Sequence, residues 1–180
     1  MSVLDNQKIS FIGGGNMAQA LISGLVSCGV KPSLITVADP NSEAREQLAA
    51  KGLNTVDPTA DAKAAVIDAD IVVLAVKPQV MKAVVGSFAD ALDKQLVISV
   101  AAGLSTELLS NMLGGYKNIV RALPNTPAMI QMGATGLYGT DNISAEQKQL
   151  ATAVMEASGL VMWVDNEEHM HAVTAVSGSA

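Results

Sequence analysis

The chain has 180 residues, of which 49% are hydrophobic, 16% charged and 3% aromatic, with a net charge of −6 and a pI near 4.7. That is enough apolar material for one domain with a full core, while the acidic balance, the lack of a basic run and the scarcity of aromatics exclude a nucleic-acid footprint. No apolar run is long enough to span a bilayer, the start Met1-Ser2-Val3-Leu4-Asp5 lacks a signal-peptide pattern, and the single Cys28 can form no internal disulfide, which agrees with a reducing, cytoplasmic setting.

Apolar runs alternate with helical patterns along the chain, which predicts an α/β fold with a mostly parallel, doubly wound sheet. The first strand, Ile9 to Ile12, runs into Gly13-Gly14-Gly15 and then into an apolar helix from Met17 to Cys28. Strand, glycine turn and helix in that order make the first β-α turn of a dinucleotide-binding fold. Gly13 suits a tight turn. Gly15 lets backbone approach a pyrophosphate, and Ala18 is small enough for the helix to pack on the strand. The helix N-terminus, with Asn16 and Met17, offers free N–H groups and partial positive charge to phosphates.

A second strand, Leu34 to Ala38, ends at Asp39, which lies 21 residues after Ala18. That is the spacing of the acid that takes the adenosine ribose. A helix then starts near Ser42 and stops at Gly52. A third strand near Leu53 to Val56 follows, with a helix capped by Thr59 and running to about Ile67. The continuous apolar run Ile71 to Val76 reads as a strand buried on both faces, and Pro78 suits the first position of the next helix.

A fifth strand, Leu96 to Val100, leads through Ala101-Ala102-Gly103 to a helix after Ser105 that ends at Gly114-Gly115. The sixth strand, Ile119 to Leu123, ends at Pro124-Asn125-Thr126-Pro127. Thr135 to Tyr138 is a further candidate strand. Ser144 to Gln147 reads as a capping box opening a helix to about Ala157. Leu160 to Val164 forms a last strand, and Asp165-Asn166 caps a helix from Glu167 towards Val176. The division expected is a dinucleotide-binding domain over 1–165, with 166–180 as a connecting helix and the first residues of a helical second domain.

In an open α/β sheet a ligand lies beyond the carboxyl ends of the strands. Gly13 to Met17, Val76-Lys77-Pro78, Ala101 to Gly103 and Asn125 therefore converge on one edge. Other polar residues read as structural. Arg121 sits mid-strand and suits an ion pair. Asp68 and Asp70 suit loop solvation or capping. His169 and His171 point to different sides of a helix, so no metal site is expected. Cys28 and most of the nine methionines read as packing residues.

The motifs Phe11–Ala18 (FIGGGNMA), Leu74–Gln79 (LAVKPQ), Ser99–Ser105 (SVAAGLS) and Arg121–Ala128 (RALPNTPA), in this order, resemble the pyrroline-5-carboxylate reductase family. The ending Ala175–Ala180 (AVSGSA) resembles the start of that family's substrate-domain signature. Leu123 stands where the family usually has Met, and Ala180 where Gly or Ser is usual.

The resemblance implies a homodimeric or larger enzyme that reduces Δ1-pyrroline-5-carboxylate to L-proline with NADP(H) or NAD(H). It places Gly13, Gly15, Asn16 and Met17 at the pyrophosphate, and Lys77 and Pro78 at the nicotinamide ribose beside Val76. Ala101, Ala102, Gly103 and Asn125 fall at the ring, and Ser177, Gly178 and Ser179 at the substrate carboxylate. The catalytic proton donor is unassigned; Lys77 suits a ribose contact better. Asp39 favours NAD(H), whereas Asn41 or Arg45 could compensate for a 2′-phosphate, so use of both is expected. By this reading 180 residues bind dinucleotide but reduce little. Two rivals are another dehydrogenase, such as a β-hydroxyacid dehydrogenase or an F420-dependent NADP reductase, and a non-enzymatic dinucleotide-binding module.

Overall fold

The computed structural model describes residues 2–170. Ser177, Gly178 and Ser179, expected at the substrate carboxylate, and most of the helix expected after Asn166 lie outside that range. The described strands are β1 (Ile9–Ile12), β2 (Ile35–Ala38), β3 (Asn54–Val56), β4 (Ile71–Leu74), β5 (Leu96–Ser99), β6 (Ile119–Pro124), β7 (Gly133–Gly139) and β8 (Gly159–Trp163). They form one sheet in the order β3-β2-β1-β4-β5-β6-β7-β8. Strands β1 to β6 are mutually parallel, β7 is antiparallel to β6, and β8 is parallel to β7. This is the doubly wound arrangement, and strand order reverses between β1 and β4.

Alternate residues of the inner strands feed two cores. Ile9, Phe11, Ile71, Val73, Leu96 and Ile98 point to one face. There α1 (Asn16–Ser27) and α6 (Ala145–Glu156) cover them with Leu21, Leu25, Ala151, Val154 and Met155. Ile12, Val72, Leu74 and Val97 point to the other face, under α4 (Pro78–Gly86) and α5 (Thr106–Met112), where Met81, Val85 and Leu109 meet them. Burial on both sides explains why β4 reads as an unbroken apolar run. Each such aliphatic side chain contributes about 1.5–3 kcal/mol on leaving water.

Helix boundaries follow local chemistry. Ser105 caps α5 through the Leu108 N–H, and Ser144 with Gln147 makes the expected capping box of α6. Asn41 caps α2 (Ser42–Ala49). The crossover after β3 differs from expectation. It holds a four-residue helix, α3 (Pro58–Asp61), and a separate turn over Lys63–Ala65. Its cap is Asp57, not Thr59: the Asp57 carboxylate accepts the Thr59 N–H at 2.9 Å. Pro58 at the first helical position makes the residue before it the cap.

One packing expectation is corrected. Cys28 is exposed at the C-cap of α1, where the helix ends and its apolar stripe with it. Met81, Met155 and Met170 are buried and Met17 and Met112 pack partly buried against the two cores, as expected of most methionines, whereas Met132 and Met162 are 75% and 58% exposed.

Candidate functional site

The turn after β1 is built as its glycines require. Gly13 takes φ +101°, and a Cβ there would lie 2.7 Å from the Ala75 carbonyl oxygen at the tip of β4. A side chain is excluded on both counts. The Gly13 N–H donates to the Ala38 carbonyl at 2.8 Å, tying the turn to β2 as well. Gly15 is the N-cap of α1; an added Cβ there would meet nothing within 4 Å. The 12-residue α1 has no side-chain cap and no acid in its first turn. Its leading N–H groups and the positive end of its dipole therefore face open space, which suits a phosphate.

Beside this turn lies a cleft of about 580 Å³. Gly13, Gly15, Asp39, Val76 and Lys77 line it together, as expected from the sequence. It sits where strand order reverses, between β1 and β4, at the carboxyl ends of both. Asn16 and Met17 follow directly as the first residues of α1, and Lys77 and Pro78 are the N-cap and first residue of α4. The opposite wall is apolar: Val80, Ala83 and Val84 with Ser87 at its end. This wall was not expected from any motif, although positions 80, 83, 84 and 87 carry one-face helical spacing.

The remaining predicted residues occupy the same edge of the sheet but do not line this cleft. Ala101, Ala102 and Gly103 follow β5. Ala101 is buried, Ala102 and Gly103 are exposed, and Gly103 has φ +77°. Asn125 follows β6, and its side-chain oxygen accepts the Ala134 N–H at 2.8 Å. The amide nitrogen of Asn125 keeps two donors for other use.

Asp39 is more constrained than expected. One carboxylate oxygen accepts the Gly14 N–H and the other the Asn41 N–H, each at 2.8 Å. It braces the glycine turn from the rim of the cleft. Arg45 stands behind it, donating to the Asp39 carbonyl at 2.7 Å and pairing with Asp57 at 3.0 Å. Hydrogen bonds from the Thr59 hydroxyl and N–H, with a smaller contribution from Arg45, hold the Asp57 carboxyl below its ordinary 3.8.

Arg121 makes the ion pair expected of it. Its guanidinium is 3.2 Å from Glu167, whose carboxylate also accepts the Thr106 N–H and hydroxyl at 2.8 Å. Asp70 accepts the Lys8 N–H at 2.9 Å, a capping role. His169 is exposed.

A doubly wound sheet with a glycine turn opening an uncapped helix at the switch point defines the class: a nucleotide-binding domain of the dinucleotide type. The chain belongs to the family described as "NADP oxidoreductase coenzyme F420-dependent", whose model matches residues 8–103, just over half of it. It is also similar to the pyrroline-5-carboxylate reductase of Pseudomonas aeruginosa, 44% identical over 178 residues, which are 98% of this chain and 64% of that protein. Among solved structures, the pyrroline-5-carboxylate reductase of Coxiella burnetii superposes with a TM-score of 0.91 at 40% identity, over 97% of this chain and 64% of that one. The pyrroline carboxylate reductase of Plasmodium falciparum with NADP bound gives 0.84 at 26% identity, over 96% and 63%. The resemblance drawn from the four motifs is thus borne out along nearly the whole chain, which spans about 64% of such relatives' length.

Proposed function

We propose that this chain provides the dinucleotide-binding part of an NAD(P)H-dependent pyrroline-5-carboxylate reductase. The carrying observation is the open N-terminus of α1, which Gly15 leaves bare towards the cleft at the β1/β4 switch point. The family description names coenzyme F420, but the match to the imine reductases runs over 98% of the chain, not just over half, and favours the imine reading.

The residues fit a dinucleotide. A side chain at position 13 is excluded, position 15 is clear, and the wall of α4 is apolar, as an adenine requires. In this reading the N–H groups of Gly15, Asn16 and Met17 hold the pyrophosphate, Gly13 shapes the turn beneath it through its bond to Ala38, and Asp39 takes the adenosine ribose. Lys77 and Pro78 hold the second ribose, and Ala101 to Gly103 leave room for the ring beside Asn125. A dihydronicotinamide held there would supply the hydride for the imine carbon of Δ1-pyrroline-5-carboxylate, with a proton needed at nitrogen to give L-proline. The chain's own part is placement of two flat groups in contact, which governs such transfers more than a strong base does. Ser177, Gly178 and Ser179 are proposed to receive the substrate carboxylate through backbone N–H groups. The division into 1–165 and 166–180 and a homo-oligomeric, cytoplasmic whole protein belong to the same proposal; they rest on the family resemblance and, for location, on the single cysteine. Among the described residues no helix is long and apolar enough to cross a membrane.

Titration with NADH and NADPH, followed by nicotinamide fluorescence and by melting temperature, tests the site. Saturable binding with a raised melting temperature is expected. Imine-dependent loss of 340 nm absorbance tests the reaction, with little turnover expected of these 180 residues by themselves. No response to either dinucleotide would remove the proposal.

A further inference from the structure

Resting on the dinucleotide reading above, we propose that Asp57 is a specificity-determining residue: by holding Arg45 it withholds the cation that a 2′-phosphate on the adenosine ribose would need. The loops after β1, β2 and β3 are joined by one continuous set of hydrogen bonds. The Gly14 N–H donates to the Asp39 carboxylate at 2.8 Å, and Arg45 Nη1 donates to the Asp39 carbonyl at 2.7 Å. Arg45 Nη2 donates to Asp57 Oδ2 at 3.0 Å, and the Thr59 hydroxyl and N–H donate to Asp57 Oδ1 at 2.6 and 2.9 Å. Gly14, Asp39, Pro40, Pro58 and Thr59 line the cleft, whereas Arg45 and Asp57 stand just behind that lining.

The charges on this rim are arranged against a phosphate. Asp39 is fixed in place through both oxygens at the rim of the cleft, where the proposed function puts the adenosine ribose. It accepts well from a hydroxyl and repels a dianion. Arg45 has the planar fork that grips phosphate in a bidentate way. Its side chain is only 18% exposed, and its charge is already answered by Asp57. A 2′-phosphate must therefore displace a carboxylate that is itself held in place by Thr59. A free 2′-hydroxyl needs no such exchange. Preference between the two cofactors is set by competition for one guanidinium, not by Asp39 alone.

The test uses the intact chain and measures dissociation constants for NADH and NADPH, with ADP and 2′,5′-ADP as probes of the adenosine end. Asp57→Asn keeps a good helix cap while removing the charge. It is expected to shift the ratio of affinities about five- to tenfold towards NADPH, and likewise towards 2′,5′-ADP over ADP. Asp57→Ser, which also caps, supplies the same comparison should the first variant not fold. In Asp57→Asn with Arg45→Gln the shift is expected to vanish, because it acts through Arg45. An unchanged ratio in both Asp57 variants, or a shift that persists without Arg45, overturns the inference while leaving the dinucleotide reading intact. Failure of the unaltered chain to bind any of the four probes overturns both.

Discussion

An alanine at position 13 would have to adopt φ +101° with its Cβ 2.7 Å from the Ala75 carbonyl oxygen. Backbone strain of that kind costs about 1–3 kcal/mol, and relief would push the tip of β4 away from the turn. Gly13→Ala is thus expected to lower stability by that amount in urea denaturation and to weaken dinucleotide binding at least about tenfold, because the turn positions the N–H groups that meet the pyrophosphate. Wild-type affinity in this variant would show that the turn does not shape the site. Asp57 gives a second residue-level expectation. Its folded pKa lies below the ordinary 3.8, chiefly through the two Thr59 hydrogen bonds. A depressed carboxylate stabilises the fold fully above its unfolded value and loses that contribution as pH falls through the folded one. The melting temperature of wild type minus Asp57→Asn should therefore be flat above about pH 5 and shrink towards about pH 3. A constant difference across that range would contradict the assignment.

At the scale of elements, the critical contact is between α1 and the end of α6. Gly24 lies on α1 where a Cβ would come 2.0 Å from the Ala157 carbonyl oxygen. The two backbones approach so closely that no rotamer change can admit a methyl group. Gly24→Ala is expected to cost about 3 kcal/mol, the upper range for overpacking, because α1 must lift off the core that Leu21 and Leu25 share with Val154 and Met155. Gly86, the last residue of α4, is the internal control: a Cβ there meets nothing within 4 Å. Gly86→Ala should raise stability by up to about 1 kcal/mol through helix propensity. The same direction of change in both variants, read by chemical denaturation, would refute the close-approach account. This contact was not legible in the chain: a glycine inside an apolar helix reads as a propensity defect until the partner helix is placed.

For the whole molecule, the pair Arg121–Glu167 joins the segment after β8 to β6, an inner strand of the sheet, and to the start of α5. The Arg121 side chain is 5% exposed and that of Glu167 22%. Removing the carboxylate strands a buried guanidinium. Glu167→Ala is expected to cost about 3–5 kcal/mol and to speed hydrogen exchange at the Thr106 N–H, which loses its acceptor. Replacing both partners with apolar residues, Arg121→Met with Glu167→Leu, should recover most of the stability without restoring exchange protection. If the single variant melts like wild type, the tie carries no weight. The ion-pair role of Arg121 could be inferred from a charged residue inside a strand. Its partner, 46 positions away, could not.

What the chain determined by itself is whatever depends on near neighbours. The glycine turn between β1 and α1, the Pro78 start of α4, the Ser144 capping box and the buried run of β4 each follow from backbone sterics, cap chemistry or periodicity over a few residues. Pro58 even carried the signal that Asp57, not Thr59, is the cap. The tertiary structure decided everything that needs distant segments to meet. It turned Asp39 into a brace for Gly14, drew Arg45 onto Asp57, set the α4 face as the wall of the cleft and ran β7 antiparallel. The physical reason is range: torsional preference and capping act within a turn of chain, while pairing of charges, close backbone contact and shared cavities exist only once packing has fixed which elements lie side by side.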